Sequence, residues 1–158
     1  MEKKTLTHLG SKNTKYAYES SCAELLETFE NPHTDQIHLV SFTQPRDEFT
    51  SLCPATGQPD QAKIELLYVP NQKMVESKSL KLYFFSYRNQ GSFHEDIINT
   101  MAKDLWVLMN PKYLRIFGDF CPRGGIAIKP LVEKWNDQIS NEEKAAVKDL
   151  TEIWDRKR

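Results

Sequence analysis

The stretch Phe49-Thr50-Ser51-Leu52-Cys53-Pro54-Ala55-Thr56-Gly57-Gln58-Pro59-Asp60 holds a thiol and a carboxylate on the two sides of a tight loop punctuated by proline and glycine. Proline presets the backbone and removes a donor, and glycine admits positive φ, so such a run reverses the chain. The flanks read as extended. Gln36 to Thr43 alternates through Ile37, Leu39 and, less cleanly, Val40 and Phe42, and Gln61 to Val69 reads as a second strand stopped by Pro70-Asn71.

Further out the period changes. Residues 17 to 29 carry Cys22, Leu25, Leu26 and Phe29 at helical spacings, predicting a short helix ended near Asn31-Pro32. Ser79 to Arg88 sets Leu80, Tyr83, Phe84 and Tyr87 at i, i+3, i+4 and i+7. Phe93 to Met109 carries the strongest helical pattern, with Ile97, Met101, Leu105 and Leu108 on one side. Lys112 to Phe120 and Gly125 to Val132 read as two strands meeting at Cys121-Pro122-Arg123-Gly124. Ser140 to Glu143 has the capping-box pattern and opens a C-terminal helix with Val147, Leu150 and Trp154 inward. The order is α+β, antiparallel strands flanking a pair of consecutive helices. The chain of 158 residues shows no repeat or linker and suits a single domain over 1–158, with 1–15 a polar, Lys-rich and partly ordered arm.

Composition excludes several classes of function. With 39% apolar and 27% charged residues and a net charge of −1, there is no positive field for nucleic acid. No apolar run approaches the ~18 residues of a membrane span, and no signal-peptide region opens the chain, so a cytoplasmic location is expected. Cys22, Cys53 and Cys121 are an odd, scattered set with no disulfide framework, and reduced thiols follow.

Cys53 can be a small buried hydrophobe or a nucleophile. Thr50, Ser51 and Thr56 surround it with hydroxyls, and the turn can fold Asp60 back toward it. A thiolate attacks an electrophilic carbon, and a neighbouring carboxyl group can hand a proton to a developing nitrogen. Resemblance to the zinc-dependent GTP cyclohydrolases would need their Cys-x-x-His pair, but Thr56 stands three residues beyond Cys53 and the histidines lie at 8, 33, 38 and 94.

The run Glu76-Ser77-Lys78-Ser79-Leu80-Lys81-Leu82-Tyr83 sets two lysines at the start of a helix. They are either a solvated face partly neutralised by Glu76, or cations that receive phosphate together with the helix's first N–H groups. No Gly-x-Gly-x-x-Gly occurs, so a dinucleotide would need a basic patch. His94-Glu95 follows Gln90-Gly91-Ser92-Phe93. Glu95 is either the far half of a capping box with Ser92, or a carboxylate able to accept both the ring N–H and the NH₂ of a guanine-like edge.

These motifs, with Ser86-Tyr87-Arg88-Asn89 and Pro122-Arg123-Gly124-Gly125, closely resemble the QueF-type nitrile reductases over roughly residues 36 to 130. The resemblance implies the tunnelling fold, an antiparallel sheet with helices on one face whose barrel is completed by oligomerisation into a ring. It implies an oxidoreductase that reduces the nitrile of 7-cyano-7-deazaguanine to an aminomethyl group with NADPH, in tRNA queuosine biosynthesis. In that family's terms Cys53 carries a thioimide, Asp60 gives the proton, and His94 assists or positions the substrate. Val75, Glu76, Ser77, His94 and Glu95 hold the deazapurine, while Lys78, Lys81 and Arg123 hold NADPH, with no metal. The short length matches the one-module form. Two other readings stand beside it: a zinc-dependent GTP cyclohydrolase of the same fold, and a catalytically silent purine-binding module.

Overall fold

The computed structural model describes residues 22–157. Its strands are β1 (Thr28–Glu30), β2 (Val40–Leu52), β3 (Pro59–Val69), β4 (Lys73–Val75), β5 (Tyr113–Phe120) and β6 (Leu131–Trp135). The helices are α1 (Ser77–Ser86), α2 (His94–Met109) and α3 (Asn141–Arg156). β2, β3, β5 and β6 form an antiparallel sheet in that order, and β1 pairs with β4 in a separate ribbon.

Alternation along β3 sorts the two faces. Ala62, Ile64, Leu66 and Tyr68 point into the main core, where Leu80, Tyr83, Phe84 and Tyr87 of the α1 segment and Ile97, Met101 and Leu105 of α2 meet them. The expected helical stripes are therefore the buried ones. Leu67 and Val69, on the other face, join Tyr113, Trp135 and Val147 in a smaller cluster beneath α3. The capping box of α3 forms as the sequence suggests, with Glu143 N–H on Ser140 Oγ and Ser140 N–H on Glu143 Oε2.

α2 lies close to β5 because residue 118 has no side chain. A Cβ there would stand 2.8 Å from both Ile98 Cδ1 and Phe120 Cε2. The contact sets the depth at which the first turn of α2 meets the end of the sheet. At its other end α2 stops at Asn110, in the left-handed region at φ 45°, whose side chain accepts from Asn136 Nδ2.

Three segments differ from the sequence reading. The helix expected over 17–29 is not formed where the structure describes it: Ala23–Leu25 make one 3₁₀ turn, and Thr28–Glu30 is the strand β1. Edge pairing with β4 overrides the helical spacing of Leu25, Leu26 and Phe29. Residues 17–21 and the arm 1–15 lie outside the described residues. The strand expected over Gly125–Val132 begins only at Leu131, since Arg123-Gly124-Gly125-Ile126 is a tight turn with φ of 57° and 82° at the glycines. The strand expected over Gln36–Thr43 begins only at Val40, after Ile37 and Leu39, and runs on to Leu52. It bulges where Pro45–Glu48 stand against Lys63 alone, and pairing resumes at Phe49, 1% exposed.

Candidate active site

The β2–β3 hairpin brings the thiol and the carboxylate together. Ser51 pairs with Asp60 and Leu52 with Pro59, so Cys53 opens the connecting loop on the strand beside Asp60. Cys53 N–H donates to Gln58 O at 2.8 Å, and Gly57 N–H, at φ 68°, donates back to Cys53 O at 2.9 Å. The α1–α2 connection is laid against this hairpin: Leu52 N–H donates to Gln90 O and Ser92 N–H to Leu52 O, at 2.9 and 3.1 Å. That bridge delivers the start of α2 to Asp60.

Asp60 is 3% exposed and has two partners. Arg123 Nε stands 2.9 Å from Oδ1, and Arg123 Nη2 donates to Oδ2 at 3.2 Å, a two-point grip on the carboxylate. His94 Nε2 is 3.1 Å from Oδ2. The distance suits an ion pair but the approach is out of line for a hydrogen bond, so neither ring nitrogen has an aligned donor or acceptor among the described residues. Instead the imidazole stacks on Phe120, centroids 3.9 Å apart.

Cys53 is 9% exposed, and its thiol pKa is lowered to about 6. The Thr56 hydroxyl contributes most, then the Arg123 guanidinium, then the N–H groups of Thr56 and Ala55, all of which favour the thiolate. The shift favours the thiolate near neutral pH. Thr56, read in the sequence as a missing zinc ligand, is thus the largest contributor to the lowered thiol pKa, and the hydroxyl-rich loop was the signal for it. No group of three or more His, Cys, Asp or Glu side chains arranged to hold a metal occurs among the described residues. Nor is any of their helices long and apolar enough to cross a membrane.

Val75, Glu76 and Ser77 lie toward the opposite end of the sheet. They line a largely apolar cavity of about 460 Å³ with Phe29, Val40, Phe42, Tyr68 and Met74. Tyr68 is eight steps along β3 from Asp60, roughly 26 Å at ~3.3 Å per residue. Glu76 has a structural task that the sequence reading missed: it is the N-cap of α1, accepting from the N–H groups of Lys78 and Ser79 at 2.9 and 2.7 Å. Those donors are therefore engaged, which corrects the expectation that they receive phosphate beside the lysines. The ammonium groups of Lys78 and Lys81 are what α1 can offer an anion, and Lys81 is exposed. Arg123 stands with Asp60 beside the Cys53 loop, whereas Lys81 lies beside Phe42, Thr43 and Gln44 of β2.

The capping box that was one of the two readings of Ser92 and Glu95 is not formed. Phe93 occupies the N-cap of α2 with no side-chain bond, and Glu95 lies exposed in the first turn beside His94. Phe93 itself is 62% exposed at the same place.

A family model described as QueF-like protein matches residues 59–139, from the first residue of β3 to the residue before the α3 cap. The chain belongs to the QueF-like protein family. Every candidate residue named above except Cys53 and Thr56 falls within the matched QueF-like span. The NADPH-dependent 7-cyano-7-deazaguanine reductase of Streptococcus thermophilus is 58% identical over 129 residues, 82% of this chain and 77% of that protein. The protein of that name from Bacillus cytotoxicus is 57% identical over 127 residues, 80% of this chain and 75% of its own. Among solved structures, the apo archaeosine synthase QueF-Like superposes with a TM-score of 0.56 at 21% identity, over 61% of this chain and 92% of that one. That likeness concerns the fold, and it agrees with the tunnelling fold that the sequence motifs implied.

Proposed function

We propose that this chain reduces the nitrile of 7-cyano-7-deazaguanine to an aminomethyl group, with NADPH as reductant, as a step of tRNA queuosine biosynthesis in the cytoplasm. The observation that carries the reading is the Cys53 thiol set across a hairpin from a buried Asp60 that stands beside His94, with the thiol pKa lowered. The names of its close relatives supply the substrate.

Cys53 sulfur adds to the nitrile carbon, one C–N π bond opens, and the nitrogen takes a proton, leaving a thioimide. Asp60, across the hairpin from Cys53, hands that proton on, and His94 beside it is the group from which it is replenished. NADPH, when bound, supplies the hydrides. After the first reduction the sulfur leaves again, and a thiol with a pKa of about 6 is a good leaving group. The imine so formed is reduced to the amine.

Glu95 is exposed and not used as a cap, which fits a carboxylate that accepts the paired N–H groups of the deazaguanine edge. The donor set of Lys78 and Lys81 fits the phosphates of NADPH as two ammonium groups on one helical turn. One ligand cannot span the distance from Val75–Ser77 to Cys53 within a chain. We therefore assign each site to two chains of a ring, the Val75–Ser77 end of one closing over the Cys53 end of the next, which also removes the exposed sheet edges at β2 and β6.

The test is the intact mass of the protein mixed with the nitrile. A gain equal to the whole substrate, released as the amine once NADPH is added, supports the thioimide. Binding without a mass gain would make the chain a purine-binding module, and no nitrile-dependent NADPH oxidation would end the reading.

A further inference from the structure

We infer that the Ser51 hydroxyl takes part in the reduction: it accepts the second N–H that the substrate nitrogen gains when the thioimide is reduced. This deepens the nitrile-reductase reading and rests on it.

The observation is a buried hydroxyl with nothing to bond. Ser51 is 0% exposed, and its Oγ has no hydrogen-bond partner among the described residues. Folded proteins pair nearly all such atoms, because an unpaired one costs stability. Strand register places this one beside the reaction site. Ser51 of β2 stands directly opposite Asp60 of β3, so the two side chains share a face with their Cβ atoms about 5 Å apart. The ladder continues past Leu52 through Cys53 N–H on Gln58 O, so Cys53 follows toward the same face, roughly 7 Å further along the strand. Thr50 Oγ1 is also buried and unpartnered, but alternation turns it to the other side of the sheet from Asp60.

The other flanks of Asp60 are taken. Arg123 reaches both of its oxygens from the β5–β6 connection, and His94 Nε2 approaches Oδ2 from α2. β3 lies between β2 and β5, which leaves Ser51 as the polar side chain on the β2 flank. The chemistry asks for an acceptor there. The thioimide nitrogen carries one N–H, which a carboxylate oxygen of Asp60 can accept. Hydride from NADPH then adds to the carbon and the nitrogen takes a proton, so it carries two. The sulfur leaves with its bonding pair as the nitrogen lone pair closes a C=N bond, and the iminium keeps both N–H groups until the second hydride gives the amine. A nitrogen two bonds from the Cys53 sulfur and held at Asp60 has Ser51 Oγ on its β2 side, and a hydroxyl oxygen has lone pairs to offer.

The test separates the two steps in Ser51→Ala. Intact mass gives the rate of adduct formation with the nitrile alone, and NADPH added to the preformed adduct gives the rate at which the amine appears. Adduct formation should stay within about three-fold of the parent, whereas amine formation should slow about ten-fold, as for one hydrogen bond lost in a buried site. Ser51→Thr keeps the hydroxyl and should run closer to the parent than Ser51→Ala does. The melting temperature of the free protein reads the fold alone. Ser51→Ala should melt at the parent's temperature or above, because alanine leaves no unpaired oxygen. A lower melting temperature with both steps slowed alike would make Ser51 a structural residue, and parent-like rates in both steps would equally overturn the proposal. A parent protein that forms no adduct ends the nitrile reading itself, so the two failures are told apart.

Discussion

The imidazole of His94 lies flat on the ring of Phe120, centroids 3.9 Å apart and planes within 9°, with Nε2 turned to Asp60. Phe120 is fully buried at the end of β5, so the wall that orients the histidine is part of the sheet itself. Phe120→Leu keeps an apolar side chain but removes the flat surface. It should fold, melt several degrees lower, and form the nitrile adduct on the order of 10²-fold more slowly through misplacement of His94. Melting and adduct kinetics measured together check this; a lower melting temperature with unchanged kinetics would leave Phe120 as core alone.

Adduct formation should follow ionisation of Cys53. With a thiol pKa of about 6, the thiolate persists above that pH and is protonated below it. The rate should be level from about pH 7 upward and fall roughly ten-fold per unit on the acid side. Intact-mass time courses between pH 4.5 and about 8.5 decide it. A rate still climbing toward pH 9 would mean an ordinary thiol.

Glu95→Gln now separates binding from stability cleanly, because Glu95 makes no cap in α2. The melting temperature should stay where it is. Affinity for the nitrile should drop ~10–100-fold, since an amide offers a donor where a substrate N–H needs an acceptor. Calorimetry reads the second and a thermal melt the first.

A site shared between chains predicts complementation. Cys53→Ala should be inactive, and Lys78→Ala/Lys81→Ala weak at low NADPH. Unfolded together and refolded as a mixture, they should regain activity, because about a quarter of random interfaces combine the intact halves. No recovery, with mixed assemblies demonstrated by mass, would confine each site to one chain.

Gly118→Ala tests how α2 is seated. The added methyl would meet Ile98 and Phe120 at 2.8 Å, both deep in the core. Overpacking of this kind costs about 1–3 kcal/mol, a melting shift of roughly 3–10 °C at this chain length. An unchanged melting curve would show that α2 can slide.

What could be read from the sequence was what local pattern controls. The stripes of α1 and α2, the Ser140 cap and the Cys53–Asp60 turn all depend on residues within a few positions of one another, and all are present. The bulge at Pro45–Glu48 hid the continuation of β2, because four polar or proline residues interrupt the alternation before Phe49 returns to the core. At Ser92 and Glu95 the capping pattern is satisfied in letters but not in space, since Ser92 N–H is bound to Leu52 O and the helix starts a residue later than the box requires. The Glu76 cap was masked by the lysines that drew attention to the same run. Arg123 could not be matched to Cys53 by any local rule, because its position depends on where β5 ends.

The donors on Cys53 differ in when they can arrive. Thr56 is a neighbour in the same loop, whereas Arg123 grips Asp60 from 63 residues away. Arg123 reaches Asp60 from where β5 ends beside β3, so that contact depends on the β3–β5 pairing. During synthesis from the N-terminus, the sulfur emerges well before its cation and spends that interval as a less reactive thiol. Its full reactivity is thus a property of the finished sheet, and the growing chain is spared a reactive thiolate while its neighbours are still unfolded.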